Sequence, residues 1–455
     1  MSEVRKGKTA SRAASSSSAP LDPAVVTVKV KELESQLQKL DQIKQLFYES
    51  LQANPLTPDP DEPPRPLNEE EEKDPQKKLA STLLSPRELA CFDDACFLRH
   101  LRARQWNLPK TLEMLRENLR WRREVRPYRI RCTEVEQHFR SGKNYHNGWT
   151  KEGRPVIYMR VRLDTPGDNV GKIKTILYQM ERSFELMEER RQKVAAEQGV
   201  PPEDEVALAH RVLEQAKRFL ESPSSSEQLL ISSFSLDNTP VEDQVAWFFD
   251  CKKFAKKDIN MSLSKELAKT LDHYPERLGV TFLLDTPVIF RAFWKLAKKL
   301  IDERTHQKVN FVSNEEDRKK IFPRFFDMEE LESCYGGKNE FVYDHDKVFP
   351  KMVEAENERR RREEEHFGIP FKPLKMGDGG VVEGSSNNSS SSGKGLFADG
   401  NGEDDEQVDM NGADEGDEKE ERKGQENGHQ ASSESSEEEV SGKGKQKAKT
   451  KGKVK

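Results

Sequence analysis

The chain has 455 residues, 33% hydrophobic and 35% charged, a balance too polar for one globule of that length. Its formal charge of −6 conceals a split: residues 402–439 hold 16 acids against 3 bases, which leaves +7 for everything else, and the last 13 residues alone supply seven lysines. A near-neutral folded body gives no electrostatic footprint for nucleic acid, and no uninterrupted apolar run approaches the ~20 residues that span a bilayer.

The first 20 residues, MSEVRKGKTASRAASSSSAP, are Ser-rich and lack an apolar core segment, so a disordered leader is expected and not a secretory signal. Five cysteines (Cys91, Cys96, Cys132, Cys251, Cys334) form an odd set without a C-x-x-C, which fits free thiols in a reducing, cytoplasmic setting. Within residues 21–52, Val30, Leu33, Leu37, Leu40, Ile43, Phe47 and Leu51 recur at spacings of three and four. That predicts a helix, used as a short coiled coil or as a docking arm for a protein partner. Residues 53–84 read as a linker, Pro/Glu-rich up to residue 75. Ser85-Pro86-Arg87-Glu88 is a capping box with Pro at the first helical position. It opens a helical subdomain over 85–130, whose last helix has Asn107 as its cap and an apolar face of Leu108, Leu112, Leu115 and Leu119.

Residues 131–345 read as an α/β domain. Residues 156–161 predict a strand, 173–191 a helix with Ile173, Leu177, Met180, Phe184 and Met187 inward, and 245–249 a fully apolar strand. Residues 192–240 read as an insertion made of a charged helix and a Ser-rich loop. The stretch 271–312, LDHYPERLGVTFLLDTPVIFRAFWKLAKKLIDERTHQKVNFV, reads as helix end, buried strand, amphipathic helix and second strand. In the helix expected over 288–301, Ile289, Phe293, Leu296, Ala297 and Leu300 form one stripe, with Arg291, Lys295, Lys298 and Lys299 beside it. Such a helix suits the wall of a core or contact with an anionic membrane. Alternating strands and helices imply a mixed or mainly parallel sheet covered by helices. Residues 346–371 are expected as a charged helix, solvated over 352–366. Residues 372–455 are expected as a disordered acidic and Ser-rich tail with a Lys-rich end.

The order of these blocks carries a resemblance. Y-P-E-R-L-G at 274–279, a strand closed by Thr286-Pro287, an F-x-x-x-W-K-L-like helix and D-x-x-T-x-x-K at 302–308 resemble the CRAL-TRIO lipid-binding family, in its branch of yeast-type phosphatidylinositol-transfer proteins. DACFLRHLRARQWN at 94–107, KEGRPVIYM at 151–159 and Tyr335-Gly336-Gly337 resemble further blocks of the family, in its order. The resemblance implies a CRAL-TRIO fold: a helical N-terminal subdomain, then a sheet and helices around an apolar lipid pocket. It implies a phospholipid ligand and no cofactor, peripheral membrane contact, and a protein that is not an enzyme and is expected as a monomer.

The resemblance places lipid head-group contacts on Arg104, Glu276, Thr305 and Lys308. Cations and a hydroxyl can satisfy a phosphate, and a carboxylate can accept from sugar hydroxyls. An ordinary ion pair between Arg104 and Glu276 is the competing use of those two residues. The pocket strand carries Val245, Trp247 and Phe249. Relatives that also carry phosphatidylcholine place small hydroxyl residues at two of these positions, so Val245 and Trp247 argue against a choline lipid. Glu303 stands where the family has Pro. Phe290, Phe293 and Trp294 are expected as the lid of a gate helix, with Lys295, Lys298 and Lys299 facing anionic lipid. Tyr343-Asp344-His345-Asp346 has no second cluster to complete a metal site. No G-x-S-x-G, Walker loop or H-E-x-x-H occurs. The function read from the sequence is transfer or presentation of a phospholipid, with phosphatidylinositol favoured. The alternative is a membrane-recruited scaffold with a degenerate or sterol/isoprenoid pocket.

Overall fold

A computed structural model describes residues 22–59, 62, 73, 75–164, 168–199, 204–222, 230–232, 234–237, 243–297, 299, 306–368 and 373–374. The expected disordered ends, at 1–20 and beyond 374, lie outside the described residues.

Helix α1 (Pro23–Ala53) begins with the Asp22 side chain accepting from the Ala24 N–H at 2.8 Å. Val26, Val30, Leu33, Leu37, Leu40, Ile43, Phe47 and Leu51 are all buried on one stripe, as the periodicity predicts. Their partners lie in the same chain: α4 (Asp94–Ala103), α5 (Leu108–Val125) and α8 (Glu205–Glu221) share one apolar core with α1. The stripe is thereby covered, so the coiled-coil and docking-arm expectation for residues 24–52 fails. The region read as a linker also departs from expectation. It forms α2 (Pro75–Leu83), and Asp59 and Glu62 are buried against Arg126, Arg129 and Arg87. The capping box opens α3 (Pro86–Cys91) as predicted, with Ser85 Oγ accepting from the Glu88 N–H and Glu88 accepting from the Ser85 N–H. Asn107 caps α5.

After α6 (Glu136–Phe139) the chain builds a five-stranded sheet in the order β1 (Asn144–Trp149), β2 (Pro155–Arg160), β3 (Val245–Asp250), β4 (Leu278–Leu284), β5 (Val309–Val312). The β1–β2 pair is antiparallel and β2 through β5 run parallel. Parallel neighbours demand crossovers, supplied by α7 (Asn169–Gln198) with α8, by α9 (Met261–Leu271) and by α10 (Val288–Ala297). Two further helices, α11 (Glu315–Phe325) and α12 (His345–Phe367), complete the described fold.

The pleat sorts the strands onto two faces. Tyr145, Tyr158, Phe248, Phe282 and Val312 pack under α11. Ile157, Val245, Trp247, Leu283 and Phe311 point to the other side, toward α7, α9 and α10. The insertion differs from the expectation of a merely charged helix: α7 continues to Gln198, and α8 buries Ala209, Val212, Leu213, Ala216 and Phe219. The charged helix α12 forms, but it is not simply solvated. Glu356, Arg359 and Arg360 are buried: Arg359 pairs with Glu185 at 2.8 Å, Arg360 pairs with Glu356 at 2.9 Å, and Glu356 accepts from the Cys132 N–H at 2.9 Å; further along the helix Glu363 pairs with Arg87 at 2.8 Å. Leu374, expected in the tail, is also buried, with its N–H and carbonyl both bonded to the Asn357 side chain.

Candidate functional site

The candidate site lies where the Y-P-E-R-L-G turn leads into β4. The turn is anchored on both sides of Glu276. Before it, the Tyr274 hydroxyl donates to Glu181 at 2.8 Å, and Trp121 of α5 stacks on His273 with ring centroids 4.4 Å apart. Asn118 of α5 donates to the His273 carbonyl at 2.9 Å. After it, Arg277 bonds the Asp243 carbonyl at 3.0 Å, and its guanidinium lies 4.2 Å from the Phe184 ring centroid. The Asp243 carboxylate lies 3.6 Å from Arg277, 2.7 Å from Arg99 and 3.1 Å from Arg191, and these cations, Arg277 first, hold it below the usual range despite burial. Between the anchors Glu276 adopts φ +60°, a left-handed conformation that is costly for a side chain other than glycine. Strain of that kind persists only where the surroundings impose it.

Lys308, one residue before β5, reaches across to this turn. Its Nζ donates to the Leu278 carbonyl at 2.7 Å and lies 3.7 Å from Glu276 Oε2. Two of the four sequence-predicted head-group residues are therefore brought together at the N-terminal ends of β4 and β5. Arg104 ends α4 as its C-cap, half-buried, with Nη1 3.4 Å from the Ala103 carbonyl. Thr305 lies outside the described residues, as does Lys298.

The neighbouring arginine of R-A-R has another role, which the sequence reading missed. Arg102 is buried, bonds the Leu236 carbonyl and pairs with Glu205 at the start of α8. Burial pushes the Glu205 carboxyl up to about 7 and lowers Arg102, so desolvation outweighs the attraction between them. The pair holds the insertion against α4. Nothing local in the sequence marks Glu205 as its partner, since the two lie far apart along the chain.

The three pocket-strand residues share one face. Val245 and Trp247 are buried, Phe249 is half-buried, and the Trp247 and Phe249 rings stack at 5.5 Å. Along the same side Met159, Leu263, Leu267, Leu271, Leu278, Val309 and Phe311 are also only half-buried. Helix α10 returns the chain from the end of β4 toward β5 over this face. Phe290 is buried and Phe293 and Trp294 are half-buried; Phe290 and Phe293 meet Phe254 at ring distances of 5.1 and 5.8 Å, and Trp294 meets Phe311 at 5.9 Å. Arg291, Lys295 and Lys299 are exposed. Two concavities lie elsewhere. One, of about 10 Å³, sits between α7 and α12; the other is an open groove of about 460 Å³ along α12. Among the described residues no cluster of His, Cys, Asp and Glu could hold a metal, and no helix is long and apolar enough to cross a membrane.

The profile of the CRAL/TRIO N-terminal domain matches residues 29–117, and that of the CRAL/TRIO domain matches 139–197 and 217–337. The gap between the last two falls on the end of α7 and the first part of α8. A CRAL-TRIO domain-containing protein of Schizosaccharomyces pombe is 25% identical over 62% of this chain and 22% of its own length. The phosphatidylinositol transfer protein CSR1 of Eremothecium gossypii is 25% identical over 56% of this chain and 49% of its own length. The phosphatidylinositol transfer protein PDR17 of Saccharomyces cerevisiae is 23% identical over 60% and 65%. The matched region thus spans less than two thirds of each relative.

Proposed function

Because this chain belongs to the CRAL/TRIO family of lipid-binding and lipid-transfer proteins, we propose that it holds a phosphatidylinositol under α10 and moves or presents it between membranes. The observation that carries this reading is the Glu276–Lys308 pair at one end of a half-buried apolar face. An ammonium and a carboxylate at that spot suit the phosphate and hydroxyls of an inositol head group. Thr305 and Arg104 are proposed as the remaining contacts. Two relatives are named as phosphatidylinositol transfer proteins, which agrees in ligand class.

The energetics explain why a protein is needed. Drawing a diacyl lipid into water exposes about 0.8 kcal/mol per methylene, more than ~20 kcal/mol for ~30 methylenes. A face lined by Phe249, Leu263, Leu267 and Phe311 replaces one apolar phase by another, so exchange becomes nearly neutral. Loading requires α10 to lift, because Phe290 and Phe293 pack on Phe254. Lys295, Lys298 and Lys299 are proposed to meet anionic lipid as it does so.

Mass spectrometry of lipid extracted from purified wild type, Lys308→Ala and Glu276→Ala tests the reading. Phosphatidylinositol in the wild type and its loss in both variants is expected. A sterol or isoprenoid unaffected by the substitutions would keep the pocket and remove the head-group site. Absence of any lipid would favour the scaffold.

A further inference from the structure

The loop between β3 and α9 reads Lys252-Lys253-Phe254-Ala255-Lys256-Lys257. Its four lysines are exposed, and among the described residues none of their side chains enters an ion pair, whereas Phe254 is turned inward. The nearby acids face other partners. Asp250 takes Tyr335 and Arg162, Asp258 accepts from the Ala255 N–H, and Asp285 pairs with Arg318 at 2.7 Å. The loop opens with a turn closed by the Phe254 N–H on the Cys251 carbonyl at 3.0 Å. Lys253, third in that turn, has φ +64°, a conformation that glycine adopts without strain. A cation stands where glycine would be easier, and the turn it makes aims Phe254 at Phe290 and Phe293 of α10.

We infer that residues 252–257 form a docking surface for an anionic bilayer, joined to the α10 gate through Phe254. The loop lysines and the exposed Arg291, Lys295 and Lys299 flank one aromatic cluster, so one negatively charged plane meets both elements. Charge complementarity selects a lipid surface as occupant: the cations surround apolar side chains that an interfacial bilayer can also receive, Val288 being 77% exposed at the start of α10. Attraction of the loop to the membrane then displaces Phe254 from the rings it holds, which frees α10. The link to the gate rests on the lipid-pocket reading; the membrane contact does not.

The test uses full-length protein with phosphatidylcholine vesicles, with and without phosphatidylserine. A cation near an anionic leaflet contributes roughly fivefold in partition. The quadruple variant Lys252→Gln/Lys253→Gln/Lys256→Gln/Lys257→Gln is therefore expected to lose at least about tenfold in flotation with phosphatidylserine vesicles, while retaining the wild-type complement of bound lipid. Unchanged flotation with bound lipid retained would overturn the surface and leave the pocket standing. Lost flotation in a protein whose wild type carries no lipid would establish the surface and remove the pocket. Phe254→Ala is expected to float normally but to exchange lipid at a rate no longer dependent on phosphatidylserine; an undiminished dependence would overturn the coupling.

Discussion

The two faces of the sheet are built from the same strands, residue by residue in alternation, yet they are not buried alike. Under α11, Phe248 touches Tyr158, Phe282, Phe322, Phe326 and Tyr335, and the apolar strand residues on that side are buried. Under α9 and α10, Met159, Phe249, Leu267 and Phe311 keep part of their apolar surface accessible. Fully burying one such side chain is worth about 1.5–3 kcal/mol. A fold that buries the apolar strand side chains of one face and leaves strand side chains of the other partly open has room for a use of the second face. The difference supports the proposed division, in which the first face holds the protein together and the second receives a ligand of the same apolar character.

The sharpest way to break that comparison is to truncate one side chain on each side of the sheet. Phe248→Ala is expected to cost about 3–5 kcal/mol, because it opens a cavity in a close-packed cluster. Leu267→Ala, on the half-buried side, is expected to cost under about 1 kcal/mol while reducing retained lipid. Urea unfolding with lipid quantified on the same samples reads both. Equal losses of stability would mean that the second face is ordinary core.

A smaller effect separates the faces by pH. The Y-P-E-R turn on the half-buried side hangs from α5 through Asn118, which also donates to His100 Nε2 at 3.1 Å; His100 Nδ1 lies 2.8 Å from the Cys96 carbonyl. Those two bonds fit only a neutral imidazole with its proton on Nδ1. Burial pushes His100 down to about 3 from an ordinary 6.5. Between those values the unfolded chain binds more protons, so this contribution is complete above pH 6.5 and drains away as pH falls toward 3. The slope reaches about 1.4 kcal/mol per pH unit. Urea midpoints from pH 7.5 to 4.5 should fall more gently in His100→Gln than in wild type. Parallel slopes would mean that His100 titrates normally.

How much of this was legible in the sequence depended on whether a residue's partner was near or far. The capping box of α3 and the Asn107 cap are local chemistry, and each stands as read. The stripe of α1 was legible, but its partner α8 was not, because a periodicity names a face and never what covers it. The charges of α12 hid its buried side: Arg359 finds Glu185, and Arg87 finds Glu363, across more than a hundred residues of chain. Strand β1 escaped because NYHNGW is too polar and Gly-interrupted to read as a strand, although Tyr145 in it is buried. In the site, Glu276 and Lys308 came from a resemblance, while the anchors that pose them (Trp121, Asn118 and Asp243) came only from tertiary contact.

The smallest expected effect bears on what Glu276 is for. Its left-handed backbone is costly for glutamate and free for glycine, so the strain is offset either by what the carboxylate does for a ligand or by its pairing with Lys308. Glu276→Ala removes the carboxylate and keeps the strain; Glu276→Gly removes both. If the carboxylate serves the ligand, both variants lose phosphatidylinositol, and the glycine variant is the more stable of the two by about 1 kcal/mol, matching or exceeding the wild type. If the pair with Lys308 is structural, both variants unfold earlier than wild type, and relief of strain fails to restore the glycine variant. Thermal melts beside lipid extraction separate the cases: strain kept at the expense of stability and released by glycine would mark this turn as built for the ligand on the half-buried face.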